Sequence, residues 1–394
     1  MTDTSDSTAL VAAWSDACRR LEALGPQILG ADYPQAPEDQ AEGLRHLVEQ
    51  AVCWLTWSAG HGDPRAPFFQ RQNDFFTQWG GPNAENTYRH ARVDPSLRYR
   101  LRGKMNSCED FILAIRSGFR HQPKPGTLVE VTASNVGIRE GDEFELVLGG
   151  PPSDDPHQID LPDEAIMVSI REYYFDWRAL EPATMTIECL DADGPPARVT
   201  AGQLVEQLGE AALAVEDSMG YWNRYMRDFR ASGTDNTFAP ILVPQGLDAA
   251  RYVFCFYQLA DDEALVIDTE VPDARYWSLQ LYTLAWFEAP GVGFRTTSVN
   301  HVQAVPSSDG RVRAVVAHRD PGVPNWIDTQ ERLEGLVTLR SFWVSSEPAM
   351  PRTHVVKFDG IRDALPDDTP AVAPAERAAE LARRQAHIAT RFRV

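Results

Sequence analysis

Two aspartates bracket a short proline-rich loop: Asp320 and Asp328 flank P-G-V-P-N-W-I, which carries Asn325 and Trp326. Acid–base cleavage of a glycoside needs two carboxylates about 5–10 Å apart across the scissile bond. A tryptophan beside them suits a sugar, because an aromatic face covers the apolar C–H surface while polar neighbours take the hydroxyls. His301 offers a further acid or base. His318 and Asp320 lie two apart, so in extended backbone they share a face and could serve a metal. His-x-Asp is a common accident, however, and the reading adopted assigns no metal and no cofactor.

Trp277, Gln280, Tyr282 and Trp286 form a second concentration of aromatic and polar groups. Along a strand, Gln280 and Tyr282 share one face and Trp277 and Leu279 the other, so one of these faces is core. The expected site therefore has Asp320, His301 and Asp328 as acid–base groups. Trp277, Gln280, Tyr282, Trp286, Asn325, Trp326 and Arg340 are its expected substrate contacts. For Asp328 and Arg340 a plainer reading competes, in which an Asp–Arg ion pair pins the loop. The GxSxG, HExxH, Walker A and GxGxxG signatures are absent, and Gly291-Val292-Gly293 reads as a turn.

The elements that must position these groups follow from periodicity. Leu10, Ala13, Trp14, Ala17 and Leu21 recur at helical spacing up to Gly25-Pro26. Leu44, Leu47, Val48, Ala51, Val52 and Leu55 mark a second helix with one broad apolar face, and Gly60–Pro67 reads as a loop. Short β-rich runs follow at 127–132, 144–148 and 166–170, and again at 252–257, 265–267, 276–282, 312–317 and 336–339. Between them lies one long helix, opened by a capping box at Thr200 and Gln203 and continued by Leu204, Leu208, Val215, Met219, Trp222, Met226 and Phe229. A last helix runs from Pro374 to Arg393 with five Arg and two Glu, and is expected to complement an acidic surface.

The chain repeats itself. P-H-Q-I-D ending at Asp160 matches P-N-W-I-D ending at Asp328, and the strands that follow carry Arg171 and Arg340. Residues 144–148 align with 313–317, and V-D-P-S-L-R-Y ending at Tyr99 resembles V-P-D-A-R-Y ending at Tyr276. The fold expected is mainly β: two related antiparallel jelly-roll-like sandwich units with flanking and connecting helices. Its segments are a helical 1–80, a first β unit 81–195, a connecting helix 196–232, a second β unit 233–365 and a C-terminal helix 366–394.

R-Y-W-S-L-Q-L-Y (275–282), D-P-G-V-P-N-W-I-D (320–328) and G-L-V-T-L-R (335–340) resemble the bacterial family catalogued as domain of unknown function 1214. N-T-Y-R-H-A (86–91), Y-R-L-R-G (99–103) and I-R-E-Y-Y-F-D-W (170–177) are similar to the region preceding that domain in longer members. The resemblance covers most of residues 80–345 and implies a mostly antiparallel fold of jelly-roll type; it brings no reaction and no catalytic residues.

Composition bounds the partners. Thirty-seven Lys and Arg against 57 Asp and Glu give a formal charge of −20, which excludes a nucleic-acid backbone and disfavours an anionic membrane surface. No apolar run approaches the length of a membrane helix, and the acidic start MTDTSDSTAL reads as cytoplasmic rather than secreted. Cys18, Cys53, Cys108, Cys189 and Cys255 never stand in CxxC spacing and are expected as small buried hydrophobes. The leading reading is a cytosolic hydrolase or lyase acting on a carbohydrate or similar polyhydroxylated small molecule. The alternatives are a non-catalytic binding or assembly protein with an aromatic-lined cleft, and an enzyme for an apolar catabolic intermediate. Assembly into a homo-oligomer is left open.

Overall fold

Short runs rich in β-branched and aromatic residues, broken by Gly, Pro and Asp, pair into four sheets, because each run is long enough to bury one face only. The computed structural model describes residues 4–60, 62–178, 180–241 and 247–393. Helices α1 (Thr4–Ile28) and α2 (Pro37–Leu55) lead, α2 ending in a π turn at Thr56–Gly60. Eight strands follow: β1 (Asn86–Arg92), β2 (Tyr99–Lys104), β3 (Asp110–Gly118), β4 (Gly126–Thr132), β5 (Glu143–Leu148), β6 (Gln158–Ile159), β7 (Met167–Tyr173) and β8 (Thr184–Cys189). After α3 (Ala201–Ala231) and the short β9 (Ala239–Pro240) come β10 (Ala250–Gln258), β11 (Glu263–Thr269), β12 (Ala274–Tyr282) and β13 (Ser298–Asn300). The chain ends with β14 (Val312–Ala317), β15 (Trp326–Asp328), β16 (Glu334–Val344), β17 (Arg352–Lys357) and α4 (Pro374–Phe392). None of the described helices is long and apolar enough to cross a membrane.

The chain packs as two compact units: Met1–Gly80, Asn86–Tyr173 and Glu181–Arg224 form the first, and Gly81–Glu85, Tyr174–Leu180 and Tyr225–Val394 the second. Residues 81–85 and 174–180 thus fall in the second unit, although the expected segments place them in the first β unit. The duplication is visible in the topology. The first unit pairs its strands in the orders β1-β7-β3-β4 and β6-β5-β2-β8; the second repeats them as β10-β16-β12-β13 and β15-β14-β11-β17. In both, the one parallel pairing falls at the same place, β5 with β6 and β14 with β15. Arg171 and Arg340 are true counterparts: they sit opposite Tyr88 and Tyr252, with guanidinium-to-ring distances of 5.7 and 5.6 Å. The Tyr99–Tyr276 match is not part of the duplication, since Tyr99 begins β2 while Tyr276 lies in β12, the counterpart of β3.

Other expectations shift. α1 runs on through Pro26 to Ile28, because Leu24 and Ile28 are buried and one missing N–H near a helix end costs little. The expected apolar face of α2 largely faces outward: Leu44, Val48 and Val52 are exposed, while His46, Gln50, Cys53 and Trp54 are buried. Gln50 is tolerated there because its amide donates to the Gln78 carbonyl and its oxygen accepts from Trp54 Nε1 and Ser218 Oγ. Cys18 is exposed and Cys189 half-buried, so only Cys53, Cys108 and Cys255 are core thiols. The capping box forms as expected, Thr200 and Gln203 bonding reciprocally. His61 of the expected 60–67 loop lies outside the described residues.

In the second unit the sandwich interior is apolar: Leu265 and Ile267 of β11, Leu279 and Leu281 of β12, Val312 and Val316 of β14, and Val337 and Leu339 of β16 close on one another. β10 and β16 approach so closely that a Cβ on Gly335 would lie 2.6 Å from the Tyr257 hydroxyl opposite it. Gly335→Ala is therefore expected to cost about 1–3 kcal/mol, read from the denaturant midpoint.

In the first unit, Trp54, Trp79 and Phe119 surround His90 and His121. Burial pushes both imidazoles down to about 3 from an ordinary 6.5, the charges of Arg171 and Arg116 adding to the effect on His90. The unfolded chain takes up these protons first, so stability is complete above pH 6.5 and is lost as pH falls toward 3, by up to about 1.4 kcal/mol per pH unit per histidine. His121→Phe is expected to flatten the fall in melting temperature between pH 6.5 and 4.5; an unchanged slope would count against this origin.

Candidate functional site

β12 decides where chemistry can sit in the second unit, because its two faces differ. Trp277, Leu279 and Leu281 point into the sandwich core, so Trp277 is packing and not a ligand platform. Tyr276, Ser278, Gln280 and Tyr282 point the other way and are also buried. This polar row is satisfied by the segment 81–85. Gln280 Nε2 donates to Asn83 Oδ1 at 2.7 Å and to Glu85 Oε2 at 2.8 Å, and Gln280 Oε1 accepts from Ala84 N–H at 3.2 Å. The Tyr276 hydroxyl lies 2.5 Å from Glu85 Oε2, and that of Tyr282 lies 2.5 Å from Gln280 Oε1 and 2.8 Å from the Pro82 carbonyl. Arg340 donates to the Tyr282 hydroxyl and to the Gly81 carbonyl. Asn300 Nδ2 closes the other side of Glu85, 3.3 Å from Oε1.

Gln280, Tyr282 and Arg340 are thus brought together, but around backbone and Glu85 rather than around open space. Burial pushes the Glu85 carboxyl up, opposed by the Tyr276 hydrogen bond and by Arg391, Arg384 and Arg340. Burial, and then the Glu85 charge, drive the Tyr276 phenol far up as well. His301 joins this group only as a ring, edge-on to Phe175 at 5.0 Å and Tyr276 at 5.8 Å, with burial lowering its basicity.

The remaining expected residues are held by structural contacts. Asp328 is buried and meets Arg295 at 3.3 Å, not Arg340, so the expected Asp328–Arg340 pair does not form. Asp320 caps the turn at Gly322 and pairs with Arg377 of α4 at 3.0 Å. Both nitrogens of His318 are engaged, with Thr329 Oγ1 and the Ala260 carbonyl, which leaves no ligand atom for a metal. Trp286 is buried. Asn325, at φ +54°, spends its amide on the Val305 and Arg313 carbonyls.

Open space lies beside that loop. A cavity of 470 Å³ is lined by Asn325 and Trp326, by Trp177, by Val299, Val302 and Val305, and by one face of α4. α4 presents Arg377, Arg384 and Arg391, seven residues apart and all buried. Arg377 is spent on Asp320 and Glu380. Arg384 bonds Ser298 and covers Trp177 at 4.9 Å; its buried Nε has no hydrogen-bond partner, Glu380 Oε1 standing 3.8 Å away. Arg383 lines the cavity and is exposed, with no ion pair among the described residues. The lining carboxylates are all engaged: Asp176 with Arg178, Glu376 with the Ala373 N–H, and Glu380 with Arg377. Trp177 and these arginines were missed as site residues; the seven-residue arginine spacing was the available signal.

No family model and no curated protein matches the chain. The solved structure of an uncharacterized protein from Burkholderia cenocepacia is similar at 29% identity and TM-score 0.83, over 90% of this chain and 99% of that one. A protein from Vibrio parahaemolyticus is similar at 13% identity and TM-score 0.48, over 80% of this chain and 97% of that one.

Replacing Gln280 by Leu takes a donor from Asn83 Oδ1 and from Glu85 Oε2 and removes an acceptor from the Ala84 N–H and the Tyr282 hydroxyl. It is expected to lower stability by more than about 2 kcal/mol, measured by equilibrium unfolding.

Proposed function

We propose that the second unit binds a small molecule with an apolar body and one acidic group, in the cavity between the Asn325–Trp326 loop and α4. Its volume, 470 Å³, is within the range of about 300–1,000 Å³ usual for small-molecule sites. Valine, proline and tryptophan supply the apolar lining. The observation that carries the reading is the pair of arginines at the cavity: Arg384, whose buried Nε has no hydrogen-bond partner among the described residues and only a 3.8 Å ion pair with Glu380, and exposed Arg383, which has no ion pair among them. A buried cationic donor without a hydrogen-bonded acceptor is costly, and a ligand carboxylate closer than the 3.8 Å of Glu380 supplies one with a charge-assisted bond.

This favours binding over hydrolysis of a neutral polyhydroxylated compound. Asp320, the expected acid or base, is occupied by Arg377 and a turn. Asp328 and His301 are not among the residues lining the cavity, and the amide of Asn325 is not free for a hydroxyl.

Thermal-shift titration with benzoate, benzamide and glucose tests the reading. Benzoate is expected to raise the melting temperature with saturation, benzamide less and glucose not at all. Arg383→Gln is expected to weaken benzoate about tenfold, the worth of one charge-assisted hydrogen bond. Equal responses to all three compounds, or an unaltered benzoate affinity in the variant, would overturn it.

A further inference from the structure

Helices α1 and α2 of the first unit turn apolar sides outward. Both are anchored on α3 by polar contacts: Arg20 pairs with Glu216, Ser218 donates to Gln50, and Asn223 donates to the Asp32 carbonyl. α2 thus spends His46 and Gln50 inward and leaves Leu44, Val48 and Val52, one turn apart, in solvent, Val48 at 63% exposure. α1 leaves out Val11, Trp14 and Cys18, Trp14 at 56% exposure, and Leu29 follows just past its end. The two stripes adjoin, because a Cβ on Gly25 of α1 would touch the Leu44 side chain at 3.9 Å. Together the six large side chains show about 500 Å² of apolar surface, at the upper end of what a soluble monomer leaves in one patch.

The pattern is self-complementary. Arg20 and Gln50 reach α3 at neighbouring positions, and Gly25 meets Leu44, so the helices run antiparallel with Val48 level with Leu21 and Glu22. A two-fold axis across both helices at that level lays α2 antiparallel on α2 and α1 antiparallel on α1. Leu44 of one copy then meets Val52 of the other, because they stand equally far before and after Val48. Trp14 likewise meets Leu29 across the level of Leu21 and Glu22. At the rim, exposed Arg19, which pairs with Asp16 at 3.2 Å within its own helix, comes within reach of exposed Glu22 of the second copy.

We infer that two copies of the chain associate through this α1–α2 face, antiparallel about a two-fold axis. Such a contact needs a patch that complements itself, in apolar positions and in charge alike. A stable interface buries about 800 Å² on each side, which the apolar patch and its polar rim together supply. A lipid surface is a poorer occupant, since residues 4–55 carry eight acids against three arginines. The same excess of acid repels a second copy only weakly, being screened beyond about 10 Å at 0.1 M salt.

Sedimentation velocity on the full chain tests this without any ligand. The wild type is expected to be mainly dimeric at about 10 µM. Val48→Glu and, separately, Trp14→Glu are each expected to raise the dissociation constant at least about tenfold. Both side chains stand in solvent in the single chain, so the melting temperature of dilute protein is expected to stay unchanged. Arg19→Glu and Glu22→Arg are each expected to weaken the dimer, and the two together to restore it. A wild type that stays monomeric at about 100 µM overturns the inference and leaves the face to a different protein. A dimer indifferent to both glutamate variants overturns the choice of face. A double charge reversal no tighter than the single ones overturns the antiparallel register.

Discussion

The second unit is organised around one buried carboxylate. Glu85 lies at zero exposure among the side chains of Tyr276, Gln280 and Asn300, and within reach of the charges of three arginines. Removing an acid from water is expensive unless its oxygens are met by donors, so the donors must be held in place. β12 holds two of them on its outward face. The same segment 81–85 offers its backbone to the remaining groups, Pro82 to Tyr282, Gly81 to Arg340 and Ala84 to Arg391 of α4. Arg384, two turns earlier on the same face, bonds Ser298 of β13. The α4 wall of the cavity is thus tied to segment 81–85 through Arg391 and to β13 through Arg384.

Duplication explains what is shared, and divergence points to use. The strand order, the parallel β5/β6 and β14/β15 contacts and the arginine over a tyrosine are in both units, as expected of a scaffold. The outward face of the third strand differs throughout: Ile112, Ala114 and Arg116 in β3 against Ser278, Gln280 and Tyr282 in β12. One copy spends that face on an internal hydrogen-bond network, while the other buries Ile112 and Ala114 there beside Arg116, which bonds Thr127 and the Gly118 carbonyl.

Much of the fold was legible and little of the site. Strands such as 312–317 and 336–339 announce themselves by β-branched runs between turns, and Thr200–Gln203 by its cap, because these signals are local. The faces of elements were less legible. Leu44, Val48 and Val52 look like a buried stripe, yet α2 turns Gln50 and His46 inward because Gln78 and Ser218 supply partners from afar in the sequence. Asp320 looked like an acid beside a tryptophan; its partner Arg377 lies 57 residues on, and no spacing rule connects them.

The sequence by itself determined that this is a mainly β, duplicated chain with a long capped helix and a basic helix at its end. Those properties depend on periodicity, turn chemistry and composition, which are short-range. Tertiary structure alone decided that Trp277 is core, that Gln280, Tyr282 and Arg340 serve Glu85, and that open space lies against α4 rather than at the aspartates. A side chain's chemistry is set by whether its donors and acceptors are already spent, and most of the partners that spend them here are brought from distant parts of the chain.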